Sequence, residues 1–215
     1  MHTFARVLEK ASSRYAPSRL LSFGPVHVFV ALQLMHERGH VSRSVLEREL
    51  GLGGAAKTIV KHMKMNGLVE TSNGGTKMTA RGRGVCTGLL ESMAAEMPVP
   101  RSSVALGMHN YAVLLRQLGF AIRSGIEQRD AAIKMGGTGA TTLIYRDGRF
   151  VMPETSNRGV REPLEGEREL ERELLGKLKP AEGDAVVIGG ADSARAAELA
   201  TKAAALATIM AHEKH

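Results

Sequence analysis

The sequence predicts an α+β protein with two domains, and three observations lead to this fold class. The chain has 215 residues, enough to bury two cores. Its first part shows apolar residues at helical spacing and one short hairpin pattern, whereas strand and helix patterns alternate from Asn110 onward. Between them lies "MPVPRSS", which is typical of a linker. We therefore expect an extension over residues 1–23, a domain over 24–96, a linker over 97–104 and a second domain over 105–215.

The excess positive charge lies in the first part of the chain. Residues 1–104 contain 14 Lys and Arg against 7 Asp and Glu, whereas residues 105–215 contain 15 of each class. A basic module joined to a neutral one predicts that the first half binds a polyanion and that the second half has another role.

Cysteine content and hydropathy predict the compartment. The single cysteine, Cys86, excludes an internal disulfide and Cys-rich zinc fingers, and it fits a reducing cytosol. The chain has no signal-peptide core at its start and no run of about 18 apolar residues. We therefore expect a cytoplasmic protein that does not contact a membrane.

The first domain opens with a helix that resembles a zinc-binding motif at its end. The helix pattern starts at Pro25 and stops at Gly39, a residue type that ends helices. The stretch "MHERGH" contains the letters H-E-x-x-H of zinc proteases, which require both histidines on one face of a continuous helix. Since Gly39 ends the helix before His40, we expect neither a metal nor a cofactor.

A helix-turn-helix is predicted next. Ser42 is suited to cap a short amphipathic helix that ends at Gly51. A tight glycine turn follows, and a second helix runs over residues 55–66 with Ile59, Val60 and Met63 pointing inward.

The outward face of the second helix is basic. Lys57, Lys61 and Lys64 share one helical face, and Thr58 and His62 lie beside it. No acidic residue occurs over residues 52–69. A lysine face alone most often serves solubility, but after a helix-turn-helix it indicates contact with phosphates and base edges.

A hairpin follows this helix. "LVETS" and "KMT" are strand patterns around a turn in "NGGT", and Thr79 is suited to cap a helix over residues 80–95. Lys77, Arg81 and Arg83 would add contacts to DNA phosphates, which position a protein without reading sequence.

These motifs resemble the winged helix-turn-helix transcriptional regulators. The resemblance covers residues 24–95 and rests on "RSVLERELGLGGAAKTIVKHMKMNGLVE" followed by "GGTKMTARGRG", with Met78 where leucine is common. It implies binding to double-stranded DNA, and it also implies that the N-terminal extension belongs to a dimer interface. From its residues alone, that extension is either a helix over "FARVLEKA" or a disordered start. The resemblance places the following residues in or near the major groove or at the DNA backbone: Lys57, Thr58, Lys61, His62, Lys64, Arg43 and Ser44.

The second half predicts the element order β-α-β-β-α-β-α. Its hairpin turns at Asp147-Gly148, Ser193 caps the last helix, and "DAVVIGGAD" is typical of a buried strand. This order suggests a ferredoxin-like βαββαβ unit with one extra helix. The whole chain resembles archaeal winged-helix proteins with a C-terminal domain of unassigned function, on "GIEQRDAAIKMGGTGATTLIYRDGRFVMP" and "GDAVVIGGADS".

Two glycine-rich segments are candidate ligand sites. "GGTGATT" lacks the lysine of a phosphate loop and follows a helix, so it also fits a plain helix stop. "GGADS" joins a strand to a helix N-terminus, where free N–H groups favour an anion, although Asp192 is placed to cap that helix itself. Arg129 is either an effector contact or solvated beside Asp130. The candidate ligand residues are Arg129, Gly137, Thr138, Gly139, Gly189, Gly190, Asp192 and Ser193.

The second half shows no catalytic constellation, because its histidines are His109, His212 and His215, outside its predicted elements. We therefore expect a sequence-specific transcriptional regulator that is not an enzyme and forms a homodimer. Its second domain would dimerise or sense a small molecule. Two alternatives are an enzyme acting on small molecules or phosphate esters with an attached DNA-binding domain, and a protein-protein interaction module.

Overall fold

The computed structural model describes residues 2–14, 21–153, 164 and 166–211. The chain separates into two compact units, residues 1–90 and 91–215. The described residues form eight α-helices and two antiparallel sheets, so the predicted α+β class is confirmed. Residues 154–163 and 165, which follow the hairpin at Asp147-Gly148, fall outside the described residues, as do His212 and His215.

The first unit consists of helices around a small sheet. Its elements are α1 (His2–Ala11), α2 (Pro25–Arg38), β1 (His40–Val41), α3 (Arg43–Leu50), α4 (Ala56–Met65), β2 (Val69–Ser72), β3 (Gly75–Met78) and α5 (Ala80–Ser92). The three strands pair antiparallel in the order β1-β3-β2. The sequence predicted these elements except the two-residue strand β1 and the helix α1, which it left open.

Helix α2 forms the centre of the first unit, and the predicted limits of this helix are confirmed. Its start is closed by His27, whose Nδ1 accepts from the Gly24 N–H at 3.1 Å. Burial lowers the pKa of His27. Gly39 ends the helix with a positive φ of 75°. His40 therefore lies in β1, and the H-E-x-x-H letters do not form one helical face.

Local capping shapes the ends of α3 and the start of α5 as predicted. The Ser42 hydroxyl accepts from the Val45 N–H at 3.3 Å, and Gly51 is left-handed with a φ of 63°. The Thr79 hydroxyl accepts from the Gly82 N–H at 3.1 Å. Helix α5 also buries Cys86, and this burial, together with the charge of Glu37, raises the pKa of the thiol to about 11.

The N-terminal extension includes a helix that packs within the first unit. Helix α1 contacts α2 and α4 and buries Ala5, Leu8 and Ala11. A Cβ at Gly88 of α5 would collide with the ring of Phe4, so this glycine permits close packing. Of the two alternatives left open by the sequence, the helix is the one found.

The second unit is a five-stranded sheet with helices on both faces. Its elements are β4 (Met93–Val99), β5 (His109–Leu115), α6 (Ile126–Lys134), β6 (Gly139–Arg146), β7 (Arg149–Val151), α7 (Arg168–Leu178), β8 (Ala185–Ala191) and α8 (Ala194–Ala211). The strand order is β4-β5-β8-β6-β7, with every neighbouring pair antiparallel. Helices α6 and α8 pack together on one face, and Leu170, Leu174 and Leu178 of α7 join the core of the other.

The predicted linker over residues 97–104 and the predicted end of the preceding helix were wrong in part. Helix α5 ends at Ser92, and residues 93–99 form β4. Pro98 and Pro100 made this stretch resemble a linker. Because β4 lies at the edge of the sheet, it tolerates Pro98, whose missing N–H is not needed on the outer side.

The ferredoxin-like arrangement was also wrong, although the order of elements from β5 to α8 was predicted correctly. A ferredoxin-like unit carries both helices on one face of its sheet. Here α6 and α7 cover opposite faces, and β8 lies between β5 and β6. All seven residues of β8 are buried, which requires cover on both faces. An element order alone does not determine which face each helix covers.

Candidate functional site

Helix α4 presents the predicted basic face to solvent. Ile59 and Met63 are fully buried and fix the inner side of the helix in the core of the first unit. Lys57, Lys61 and Lys64 are exposed on the opposite side. In the part of the chain that the structure describes, no carboxylate forms an ion pair with these three lysines. Their charge is therefore available to an external anion.

Three further predicted DNA contacts are exposed at or before this helix. Thr58 lies on α4 beside Lys57, whereas Arg43 and Ser44 form the first turn of α3. The Ser44 and Ser42 hydroxyls are hydrogen-bonded at 2.9 Å, which holds the start of α3 in a defined geometry.

His62 was predicted as a DNA contact, and the structure contradicts this. Its ring is buried, Nδ1 lies 3.2 Å from the Ala11 carbonyl oxygen, and the Phe23 ring meets it edge-on at 5.2 Å. The physical reason is helical spacing, because His62 follows the buried Ile59 by three residues and shares its face. This spacing was already visible in the sequence.

The hairpin carries less free charge than its sequence suggested. Lys77 forms an ion pair with Glu70, its neighbour across the two strands, at 3.0 Å, and its side chain is 44% exposed. Arg81 is exposed at the start of α5. Arg83 donates to the Met78 carbonyl at 3.0 Å and so holds the hairpin against α5. Arg81 is thus better placed than Lys77 for an external phosphate.

In the second unit, the two glycine-rich segments meet at one pocket. The cavity is about 200 Å³ and lies where β6 begins and β8 ends. Thr138 donates its N–H to the Gly190 carbonyl at 2.8 Å, and Gly139 pairs with Gly190 across the strands. The predicted ligand residues that line the pocket are Arg129, Thr138, Gly139 and Gly190.

A loop that the sequence did not identify closes the other side of this pocket. Val104, Ala105, Leu106 and Gly107 line it. The buried Asn110 holds the loop, since its carboxamide accepts from the Gly107 N–H at 2.8 Å and donates to the Gly107 carbonyl at 3.1 Å. Val104 ends the predicted linker and Ala105, Leu106 and Gly107 begin the predicted second domain, and no local signal there indicated a site.

The other four candidate residues have structural explanations outside the pocket lining. A Cβ at Gly137 would lie 2.7 Å from the Ala200 Cβ, and one at Gly189 would collide with Thr201, so both glycines allow α8 to pack closely. The Ser193 hydroxyl accepts from the Ala196 N–H at 3.2 Å and caps α8, with the exposed Asp192 before it. None of these four residues lines the pocket, and their part in ligand binding stays a prediction.

Arg129 is the cation of the pocket. It forms an ion pair with Asp130 at 3.0 Å, although neighbouring residues of a helix point in different directions. A Cβ at Gly139 would lie 3.7 Å from the Cγ of Arg129, so the aliphatic part of the Arg129 side chain passes close to Gly139. The opposite lining is apolar and includes Ile188 and Ala140. The pocket combines one positive charge with a small apolar surface.

The described residues contain neither a candidate membrane span nor a candidate metal site. None of their helices has both the length and the apolar character needed to cross a membrane. Among the same residues, no three side chains of His, Cys, Asp or Glu are grouped as they would be around a metal ion.

Comparisons with known proteins bear mainly on the second unit. Residues 106–209 match a family described as a domain of unknown function (DUF4443). The fold is similar to that of a solved archaeal protein, "Hypothetical protein PH0730 from Pyrococcus horikoshii OT3", with a TM-score of 0.67 and 23% identity over 90% of this chain and 95% of that chain. No match was found among curated proteins. These findings agree with the predicted C-terminal domain of unassigned function, and they carry no activity.

Proposed function

We propose that this protein is a DNA-binding transcriptional regulator of the winged helix-turn-helix type, with α4 as its recognition helix. The observation that carries the proposal is the exposed face of Lys57, Lys61 and Lys64 on the second of two short helices joined by a glycine turn. The element order from α2 to β3 and the small antiparallel sheet also support it, because a winged helix is expected to have this order and a sheet of this kind.

The proposed contacts follow from the position of each exposed side chain. Helix α4 has 10 residues and so is about 15 Å long, which suits a major groove about 12 Å wide. Lys57, Thr58 and Lys61 face the groove, and Lys64 faces its border. Arg43, Ser44, Lys77 and Arg81 contact phosphates on either side, which position the helix without reading bases.

A homodimer in the cytoplasm completes this proposal. Two copies related by a twofold axis present two α4 helices to successive major grooves about 34 Å apart. The operator then consists of two inverted half-sites.

The salt dependence of binding tests this function. The whole protein is titrated into a pool of fluorescein-labelled genomic duplexes, and anisotropy is read at several salt concentrations. Neutralisation of about five phosphates predicts a log–log slope of the association constant between about −4 and −5, since each contact releases a counterion. The absence of binding, or binding that does not change with salt, would contradict the proposal.

The second unit senses a small molecule in this proposal, and the pocket at Arg129 supports that role. A cavity of about 200 Å³ accommodates only a small ligand. The guanidinium of Arg129 favours an anionic group, and Val104, Ala105 and Ile188 favour a short apolar body. The ligand class is therefore a small apolar carboxylate or a similarly sized anion.

Butyrate and butyramide are matched probes for this pocket, because they have nearly the same shape and only butyrate is charged. We expect butyrate to shift the amide NMR signals of Gly107, Gly139 and Gly190 in the whole protein. At equal concentration, butyramide should shift these signals at least about fivefold less. This difference in response corresponds to the loss of one charge-assisted hydrogen bond. Arg129→Gln should remove the response to butyrate. Lys177→Gln, which removes the same charge from an exposed position of α7 outside the pocket lining, should keep it. Equal responses to both probes would contradict the anion site.

A further inference from the structure

Helix α6 has an apolar outer face that the second unit leaves open. Its inner side buries Gln128 and Ala132, where α6 packs against α8 and β6. On its outer side, Ile126 and Ile133 are 48% and 49% exposed. These isoleucines are seven residues apart, or two helical turns, so they lie on one side of the helix about 10 Å apart. Two large apolar side chains on one open side of a helix are a candidate surface for association when the charges around them also match a partner.

The charged residues on this outer face form a self-complementary pattern. Glu127 and Lys134 are both exposed, and at about 100° per residue they lie within about 20° of each other along one flank. Glu127 lies near the start of the helix and Lys134 at its end. Arg129 and Asp130 lie at the midpoint and pair with each other. Reversing the direction of the helix therefore exchanges Glu127 with Lys134 and Ile126 with Ile133.

The pattern of charges and isoleucines on the outer face of α6 indicates which molecule packs against it. We propose that α6 packs antiparallel against α6 of a second copy of this chain, about a twofold axis near residues 129 and 130. In such a pair the same flanks of the two helices meet. Glu127 then lies beside Lys134 of the partner subunit, and Ile126 packs on the partner's Ile133.

Charge complementarity favours a second copy over an unrelated partner. A different protein would need an acid and a base at the required spacing on its own surface, whereas a copy of this chain supplies both by symmetry. In the part of the chain that the structure describes, Glu127 and Lys134 form no ion pair of their own, so both are available. The inference deepens the proposed function, because it assigns the surface of the homodimer.

Charge reversal tests the arrangement in the whole protein. Sedimentation equilibrium over a range of concentrations is expected to show a dimer for the natural sequence. Glu127→Lys and Lys134→Glu should each raise the dissociation constant by about tenfold, because each replaces two attractive pairs with two repulsive ones. The double variant Glu127→Lys, Lys134→Glu should return to within about threefold of the natural protein, since the pairs are restored with exchanged signs.

A control reversal keeps this test specific. Glu173→Lys changes an exposed charge on α7 by the same amount and should leave the dissociation constant unchanged. Circular dichroism of each variant checks that the fold is intact. A monomer at all concentrations, single reversals without effect, or a double variant as weak as the two single ones combined would overturn the proposed face.

DNA binding is measured separately from dimerisation, so that the two proposals can fail independently. A monomer that binds duplex DNA with the expected salt dependence would overturn the dimer face and leave the proposed function standing. A protein that forms the dimer, loses it on the single reversals and does not bind DNA would overturn the proposed function and leave the dimer face standing.

Discussion

Replacement of both Lys57 and Lys61 by alanine is expected to lower the affinity for duplex DNA by about 100-fold at low salt, or about 2.7 kcal/mol. Both side chains are exposed, so their removal leaves the core of the first unit intact. The log–log salt slope should become shallower by about two, because two fewer counterions are released. Fluorescence anisotropy of the natural and substituted proteins on one duplex, at several salt concentrations, measures both quantities.

The matched control removes two positive charges from the second unit. Arg172→Ala together with Lys177→Ala changes two exposed side chains of α7, and affinity and salt slope should stay close to those of the natural protein. If the α4 variant keeps its affinity, the recognition helix is misassigned. If the control variant loses as much affinity as the α4 variant, the attraction to DNA depends on net charge only.

Asp184→Ala is expected to have the largest effect on stability. The Asp184 carboxylate is fully buried and accepts from the Gln117 and Ala181 N–H groups, each at 2.9 Å. It also pairs with Arg116 at 3.5 Å. The alanine variant leaves these donors without an acceptor next to β8, at a cost of about 3 kcal/mol in the free energy of unfolding. Urea unfolding of the whole chain, followed by circular dichroism, measures the difference.

The same substitution at an exposed position is the comparison for this experiment. Asp192→Ala removes a carboxylate that precedes the capped start of α8, and we expect it to change the free energy of unfolding by less than about 1 kcal/mol. Equal effects at the two positions would show that the hydrogen bonds around Asp184 contribute little to stability.

The parts of the fold that the sequence predicted are those determined by neighbouring residues. The Ser42 cap, the helix stop at Gly39 and the turn at Asp147-Gly148 each depend on backbone geometry within a few residues. The turn is an example, because Asp147 and Gly148 both adopt positive φ, at 52° and 77°, as a two-residue hairpin requires.

The parts that were missed depend on residues far apart in the chain. Strand β4 was taken for a linker because its edge position, which tolerates Pro98, is a property of the assembled sheet. The opposite placement of α6 and α7 has the same origin. His62 is a different kind of error, since its helical spacing already placed it on the buried side.

The candidate ligand site was predicted only in part for a related reason. A glycine can indicate either close packing between two elements or the wall of a cavity, and the sequence does not distinguish these two cases. Gly139 faces the cavity, whereas Gly189 allows Thr201 of α8 to approach the sheet. The loop at Gly107 is held there by Asn110, and nothing in its sequence indicates the part of the fold against which it rests.

The edge strands of the five-stranded sheet limit how the second unit can assemble. An exposed edge can recruit a strand from another molecule, which leads to continuous sheets and aggregation. At β4, Pro98 interrupts the row of donors that such growth needs, and at the other edge β7 has only three residues. Growth of the sheet from copy to copy is therefore disfavoured at both ends, and orderly association is left to the helical surfaces.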